Sequence, residues 1–346
     1  MSNSSPPRTV VVIHRTGIGD LIWHIPYVRA IAAASADGKV SLIVRPSSRA
    51  VDVLAAESCV AEILEFDRRP RKSEKRRGRH DTLAAQLDFV RAVRRCGFER
   101  IYILSGRVRY AALALLARIP QRAGFGFSMA ERLLLNRPPY IRPHRGAGNW
   151  VYPEVTDFCL AHGLVSAPVV PKMAVLPEAL VVAGQQLAGL PSQRYAFSIG
   201  TSAPRNNWGQ ERFAALATAL AERGCGVLLL GGPAERELAA AILEAVAPAL
   251  RSRVIASTQP SVQLSAALLR HCQFCIGNDT SALNMAAAND VPTLGLFGAS
   301  PPLTHDPLMH ALTAPGMSAI TLEAVLARLG ELAAPGFGAV PAVAHP

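Results

Sequence analysis

The chain has 346 residues and a formal net charge of +11, with half of its residues apolar and 18% charged. That balance excludes a disordered chain, which is poorer in apolar residues and richer in charge, and the length suits two α/β domains. No uninterrupted apolar run reaches the ~18 residues that cross a bilayer, and MSNSSPPRTV lacks the apolar core of a signal peptide, so a cytoplasmic protein is expected.

In chain order, residues 9–14 (TVVVIH) read as a fully buried first strand. A tight turn at Gly17 and Gly19 follows, then a helix from Asp20 to Ala34. Strands are expected at 40–44, 61–66 and 100–104, and helices at 81–95 and 108–117. Between two of these strands lies a cationic run of Arg68, Arg69, Arg71, Lys72, Lys75, Arg76, Arg77 and Arg79, opposed only by Glu74. Such a run is either a solvated, mobile loop or an edge that faces membrane phosphates. No nucleic-acid-binding motif accompanies it, and nucleic acid is not expected as a partner.

The stretch 166–192 carries Pro168, Pro171, Pro177 and Pro191 and reads as an interdomain linker. Beyond it a second series is expected. Its strands lie at 195–199, 226–231, 253–256, 273–277 and 292–297, and its helices at 210–223, 233–246, 261–270 and 281–289. A last helix at 320–334 precedes an Ala/Pro/Gly tail expected to be disordered. The expected division is 1–175, 176–320 and 321–346. Strands alternating with helices predict parallel sheets in two Rossmann-like domains. Ligands of such sheets bind outside the carboxyl ends of the strands.

Four strand ends carry small or polar residues. The first is His14-Arg15-Thr16-Gly17-Ile18-Gly19-Asp20, whose glycines permit a tight turn and whose Asp20 falls in the first turn of a helix. An acid there is also favoured by the helix dipole alone. A dinucleotide fingerprint is not met, because Ile22 holds the third glycine position and strand two ends in Arg45 instead of an acid. In the second series, Gly277-Asn278-Asp279-Thr280-Ser281-Ala282 leaves a strand and opens a helix, where backbone N–H groups favour a diphosphate. Simple capping by Asp279 or Thr280 is the plainer alternative. Ser198-Ile199-Gly200-Thr201-Ser202, Gly231-Gly232-Pro233-Ala234-Glu235 and Leu296-Phe297-Gly298-Ala299-Ser300-Pro301 leave the neighbouring strands. Glu235 is suited to accept bonds from ribose hydroxyls, and the four ends together form a plausible nucleotide site. Cys272 and Cys275 beside His271 lack a second pair at ligand spacing, so no metal is expected there. Trp23, Tyr27 and Trp208 are expected in the core.

The Thr16–Asp20 turn, the Gly231–Glu235 turn and the run GNDTSALNMAAANDVPTLGLFGASPP resemble those of glycosyltransferase family 9, the ADP-heptose:lipopolysaccharide heptosyltransferases. The order and spacing match across roughly residues 9–305. The resemblance implies a GT-B fold, with two Rossmann-like domains facing each other across a cleft, and an inverting transfer of heptose to a lipopolysaccharide core acceptor. It implies a metal-independent enzyme without a cofactor. The N-terminal domain binds the acceptor, a lipid-linked glycan at the inner face of the cytoplasmic membrane, through Thr16, Gly17, Gly19 and His24. The C-terminal domain binds the nucleotide-sugar donor through Gly200, Thr201, Arg205, Glu235, Asp279, Thr280, Ser281 and Gly298. Asp20 is the implied catalytic base. Three departures stand out: Asn206 where the family often has Lys, Ser281 for Gly and Asn284 for His. Two other readings stay open, an oxidoreductase with a nucleotide cofactor and a non-catalytic sugar-nucleotide-binding protein. The sequence carries no signal of oligomeric state.

Overall fold

The structure is a computed structural model that describes residues 6–14, 17–70, 74–146, 148–201, 203–298 and 300–332. The expected tail therefore lies outside the described residues, apart from the end of the last helix. The chain divides into two compact units, 1–179 and 180–346.

The first unit is a five-stranded parallel sheet. Its strands are β1 (Thr9–Ile13), β2 (Val40–Val44), β3 (Val60–Glu65), β4 (Arg100–Leu104) and β5 (Gln121–Gly124), in the order β3-β2-β1-β4-β5. β1 is TVVVI, and all five residues are buried because helices cover both faces of the sheet. The helices are α1 (Ile18–Ala33), α2 (Ala50–Val53), α3 (Leu83–Arg95), α4 (Val108–Leu116), α5 (Met129–Leu134) and α6 (Val151–Ala161). Phe89 and Val93 of α3, Tyr110 and Leu113 of α4, and Leu135 after α5 share one core with Val10, Val12 and Ile103. α6 packs on α1, where the Tyr27 and Thr156 hydroxyls bond. The extended chain after α6 is pinned to this unit by Glu57, which is 7% exposed. Its carboxylate takes two bonds from Arg29, at 2.9 and 2.7 Å, and one from the Ala174 N–H at 3.0 Å.

The second unit has six parallel strands, β6 (Arg194–Ser198), β7 (Gly226–Leu230), β8 (Val254–Ser257), β9 (Phe274–Asn278), β10 (Thr293–Phe297) and β11 (Met309–Thr313). Their order is β11-β10-β9-β6-β7-β8. The helices are α7 (Pro177–Leu187), α8 (Gln210–Glu222), α9 (Arg236–Ala245), α10 (Val262–Leu269), α11 (Ser281–Ala287) and α12 (Leu322–Leu332). Trp208 is fully buried in the core of this unit, where Phe197, Phe213, Ile276 and Leu294 also lie. Val325, Leu329 and Leu332 of α12 enter the same core. The last helix is thus part of this unit.

Each expected strand and helix is present within a few residues of its expected bounds. The stretch read as a linker contains the boundary between the two units and also a helix that was not expected: 177–187 is α7, with Ala183 and Leu187 buried. Pro177 opens that helix, where its missing N–H costs nothing. α6 was not among the expected helices; its Pro153 stands in the first turn, where proline is tolerated. β5 (QRAG) lacks β-branched residues, and β11 is a half-exposed edge strand, so neither carries a buried-strand pattern.

Candidate active site

In both sheets the strand order reverses beside the first strand of the unit, between β1 and β4 and between β6 and β9. The loops leaving those strands diverge to opposite sides and open a crevice at the carboxyl edge. The sequence-predicted site residues fall into two groups, one at each of these places.

In the first unit, β1 ends at Ile13 and α1 starts at Ile18, with Gly17 as its N-cap. Asp20 stands at the third helical position, and its Oδ2 accepts the Gly17 N–H at 3.3 Å. This is the carboxylate half of a capping box, so the helix itself orients the group. Asp20 is partly exposed, and Gly19 is buried beside it. Thr16 lies outside the described residues. His24 is 1% exposed, and its Nδ1 donates to the Asp20 carbonyl at 2.6 Å. A carbonyl only accepts, so this bond fixes the tautomer with the proton on Nδ1. His24 therefore belongs to the packed framework of α1, one turn below the carboxylate.

Beside this turn lies a cavity of about 220 Å³ at the ends of β1, β2, β3 and β4. Five guanidiniums line it: Arg45, Arg68, Arg69, Arg107 and Arg109. None forms an ion pair with an acid among the described residues. Burial, with Arg68, Arg107 and Arg69 nearby, holds the Arg109 guanidinium below its usual pKa. Tyr110 closes the cavity floor with its hydroxyl 2.8 Å from His14 Nδ1, and burial pushes that phenol up to about 12. Two like charges ~6 Å apart repel by roughly 3 kcal/mol at an effective dielectric near 20, a repulsion that an anion held between them would relieve. The sequence named Arg68 and Arg69 only as part of a charged run, and Arg107 and Arg109 not at all. The signal was available: each follows a strand end by a few residues. The rest of the run is not simply solvated. Arg76 pairs with the buried Asp67 and with Glu74, and Arg79 with Glu65.

In the second unit, Asn278 at the end of β9 is fully buried and organises the loops. Its Oδ1 accepts the Trp208 N–H at 2.9 Å, and its Nδ2 donates to the carbonyls of Ile199 at 2.9 Å and Gly200 at 3.2 Å. The Ser198 and Thr280 hydroxyls bond at 2.6 Å, and Thr280 Oγ1 caps α11 by accepting the Ala282 N–H. Ser281 is the first residue of α11. Gly277 has φ +144°, and a Cβ there would stand 2.3 Å from the Ser198 carbonyl oxygen, so only glycine permits this approach of β9 to β6. Glu235 lies against Gly200 and Gly231, and its Oε2 accepts the Gly232 N–H at 2.7 Å. Gly298 follows β10 and touches the backbone at Gly316 and Met317, which leaves no room for a side chain. Thr201 folds its own loop by accepting the Ala203 N–H and donating to the Ala203 carbonyl. Arg205 is exposed on the turn Pro204–Asn206, and the Asn206 Oδ1 beside it is buried without a partner among the described residues.

Asp279 is half-buried, and its Oδ2 accepts the Ser300 hydroxyl at 2.9 Å. Burial raises its pKa, partly countered by that bond. The contribution to stability is therefore full below the ordinary carboxylate pKa of 3.8 and is lost as pH rises through the raised value. Asp279→Asn should melt higher than the parent at neutral pH, with the difference vanishing in acid. Differential scanning calorimetry at pH 7 and below pH 4 reads this out. Equal melting temperatures at pH 7 would mean the carboxylate carries no burial cost. Asn278, Ser198 and Ser300 were read in the sequence only as members of their strand-end motifs and given no role of their own, because a buried amide at a strand end has no local pattern.

Cys272 is 7% exposed, Cys275 is fully buried, and burial pushes the Cys272 thiol up to about 12. No group of three or more His, Cys, Asp or Glu arranged to hold a metal occurs among the described residues.

The sequence profile of glycosyltransferase family 9 (heptosyltransferase) matches residues 86–322, which include the whole second-unit group and leave the Asp20 turn outside. Lipopolysaccharide heptosyltransferase 2 of Salmonella typhimurium is 25% identical over 228 residues, 62% of this chain and 63% of the relative. The matched part is thus less than two thirds of that relative's length. Among solved structures, a family-9 glycosyltransferase of Veillonella parvula superposes with a TM-score of 0.77 at 20% identity, covering 95% of this chain and 98% of the other. The E. coli ADP-heptose lipopolysaccharide heptosyltransferase II superposes with a TM-score of 0.71 at 20% identity, covering 94% and 98%. These likenesses establish the two-domain GT-B fold expected from the sequence. With the profile spanning most of the chain and both sheets built as that fold requires, the protein belongs to glycosyltransferase family 9, the heptosyltransferases.

Proposed function

We propose that this chain is an inverting glycosyltransferase that moves heptose from ADP-heptose to a lipopolysaccharide core acceptor. The observation that carries the reading is the loop set at the β6/β9 switch point, where Asn278 ties the Gly200 turn to the Asp279–Ser281 turn. The names of the relatives support the donor. One similar structure, E. coli heptosyltransferase WaaC with ADP-2-deoxy-2-fluoro heptose, superposes with a TM-score of 0.68 at 20% identity.

The donor nucleotide lies against Gly200, Thr201, Glu235 and Gly298, with Glu235 accepting from the ribose. The Asp279–Ser281 run and Arg205 meet the diphosphate, with the Thr280 and Ser281 hydroxyls as donors. The sugar–phosphate bond breaks through an oxocarbenium-like transition state, and charge grows on the leaving diphosphate. Fixed donors and Arg205 stabilise that charge, so no metal is required. The acceptor hydroxyl attacks the anomeric carbon from the opposite face as Asp20 takes its proton. Gly17 and Gly19 form the turn that admits the acceptor, and Thr16, outside the described residues, is assigned to the acceptor by the family resemblance alone. His24 acts from behind by holding the Asp20 backbone. A non-catalytic binding protein would keep the donor site and lack turnover.

The five-arginine cavity fits an acceptor that carries phosphate or carboxylate groups beside the reacting hydroxyl. Arg107→Gln together with Arg109→Gln should raise the acceptor KM by about tenfold or more and leave the donor KM unchanged, on the usual worth of charge-assisted bonds. Steady-state kinetics with each substrate varied in turn checks this. A change confined to the donor KM would remove the cavity from the acceptor site.

The donor assignment is tested by thermal shift with ADP-, GDP-, UDP- and dTDP-sugars. A ligand present at 100 times its Kd stabilises the folded chain by roughly 2.7 kcal/mol. ADP-heptose should give the largest shift. A larger shift with another nucleotide, or with NADPH, would overturn the assignment.

A further inference from the structure

The two faces of β4 carry different chemistry. Ile101 and Ile103 enter the core shared with α3 and α4. Arg100 and Tyr102 alternate with them and stand on the opposite face, where the Tyr102 ring meets Phe158 and His162 at the end of α6 edge-on. The register sets Gln121 beside Arg100 and the small Ala123 beside Tyr102. β5 is an edge strand, and the chain after α5 is held along it, because the Asn136 and Arg137 N–H groups donate to the Arg122 carbonyl at 3.0 and 3.1 Å. Between these parts lies a cavity of about 350 Å³, lined by Arg100, Tyr102, Gln121, Arg137 and His162 among others. It shares no residue with the five-arginine cavity. Arg100 opens β4 at the amino edge of the sheet, and the length of that strand, roughly 13 Å at 3.3 Å per residue, separates it from the carboxyl edge.

The lining offers donors without acceptors to match. Arg100 spends its Nε–H on Gln121 Oε1 at 3.1 Å and lies over the Tyr102 ring, which fixes the guanidinium and leaves its outer N–H groups to point elsewhere. Neither Arg100 nor Arg137 pairs with an acid among the described residues. Tyr102 is only 7% exposed, yet its hydroxyl has no hydrogen-bond partner among the described residues. A phenol that deeply buried ordinarily has one, and the cavity it lines is where that partner would stand. His162 donates its Nε2–H to the Pro139 carbonyl at 3.0 Å, so Nδ1 is the acceptor of the neutral ring. Guanidinium forks match the oxygens of phosphate, and two of them balance a dianion. The volume lies within the range of small-molecule sites, about 300–1,000 Å³, and leaves room beside the phosphate for a hydroxylated group. We propose that this cavity binds a phosphate monoester the size of a sugar phosphate, with Arg100, Arg137 and the Tyr102 hydroxyl on the phosphate and Gln121 and His162 beside the esterified group. The inference does not rest on the proposed sugar transfer.

The test is titration of the full chain with glucose 6-phosphate, read from the His162 imidazole resonances, which are assigned by their loss in His162→Gln. These resonances report this cavity and not the five-arginine one. The parent should show a saturable shift, and glucose should give none. Arg100→Gln with Arg137→Gln should raise the apparent Kd by about tenfold or more, on the usual worth of charge-assisted bonds. Arg107→Gln with Arg109→Gln should leave it unchanged. Tyr102→Phe keeps the ring and removes a hydroxyl that bonds to nothing in the protein. It should weaken binding several-fold without lowering the melting temperature, a pair of results that misfolding does not produce. Absence of a saturable shift in the parent, or a parental Kd in both Arg100/Arg137 and Tyr102 variants, overturns the proposal. An equal His162 shift with sulfate at the same concentration would reduce the cavity to a small-anion site and overturn the assignment to a phosphate ester.

Discussion

Asp20→Asn should lower kcat by about 10²–10⁴-fold while leaving the ADP-heptose Kd within a factor of about two, the range expected when a positioned general base is lost. The substitution keeps the shape and an oxygen acceptor, so the bond from the Gly17 N–H that seats the group on α1 can persist. What it removes is the capacity to take a proton from the acceptor hydroxyl. An amide has no basic oxygen, so the hydroxyl must attack without assistance. Donor binding is assigned to the second unit and should not respond. Isothermal titration with the donor and a turnover assay separate the two quantities. A variant that turns over at the parental rate would show that Asp20 serves as a helix-capping acid only.

Asn278→Ala should destabilise the second unit by about 3–5 kcal/mol and abolish measurable donor binding. Three backbone groups lose their partner at once, the Trp208 N–H and the Ile199 and Gly200 carbonyls. Each buried polar group left unsatisfied costs about 1–3 kcal/mol, and the terms are not fully additive. Asn278 is fully buried, so water does not replace the lost amide without opening the loop. The Gly200 and Trp208 segments would then no longer be held to the end of β9. Chemical denaturation measures the first effect and a thermal-shift titration with ADP the second. Asn278→Asp should restore the acceptor for Trp208 but not the donor for the two carbonyls, and should fall between parent and Ala. Parental stability in Asn278→Ala would show that the loops are held by other contacts.

The parts of this molecule that were legible in the sequence are those whose physics is local. TVVVI and GVLLL are strands buried on both faces, and short apolar runs flanked by glycine and helical repeats declare themselves. The Asp20 and Asp279–Ser281 turns follow such strands directly, so local pattern alone puts them at the sheet edge. The pieces not legible depend on contacts distant in sequence. Asn278 matters because residues 70 to 79 positions away supply its partners. The arginine cavity gathers side chains from four strand ends, and no window of sequence contains them together. β11 is an edge strand paired on one side only, which removes the burial pattern that identifies a strand. His24 illustrates the converse. A histidine one turn after the proposed base can pack or touch a ligand, a choice local sequence does not make, and in the fold it is buried and bonded to the Asp20 carbonyl.

On the proposed function, the chain releases ADP by transferring heptose to an acceptor hydroxyl with Asp20 as base. Coupled detection of ADP and of the glycosylated product, using the purified chain, ADP-heptose and a lipopolysaccharide core acceptor in the presence of EDTA, measures it directly. ADP and product should appear in equal amounts from the parent, and about 10²–10⁴-fold more slowly from Asp20→Asn. ADP without glycosylated product, or undiminished transfer by the variant, would contradict it.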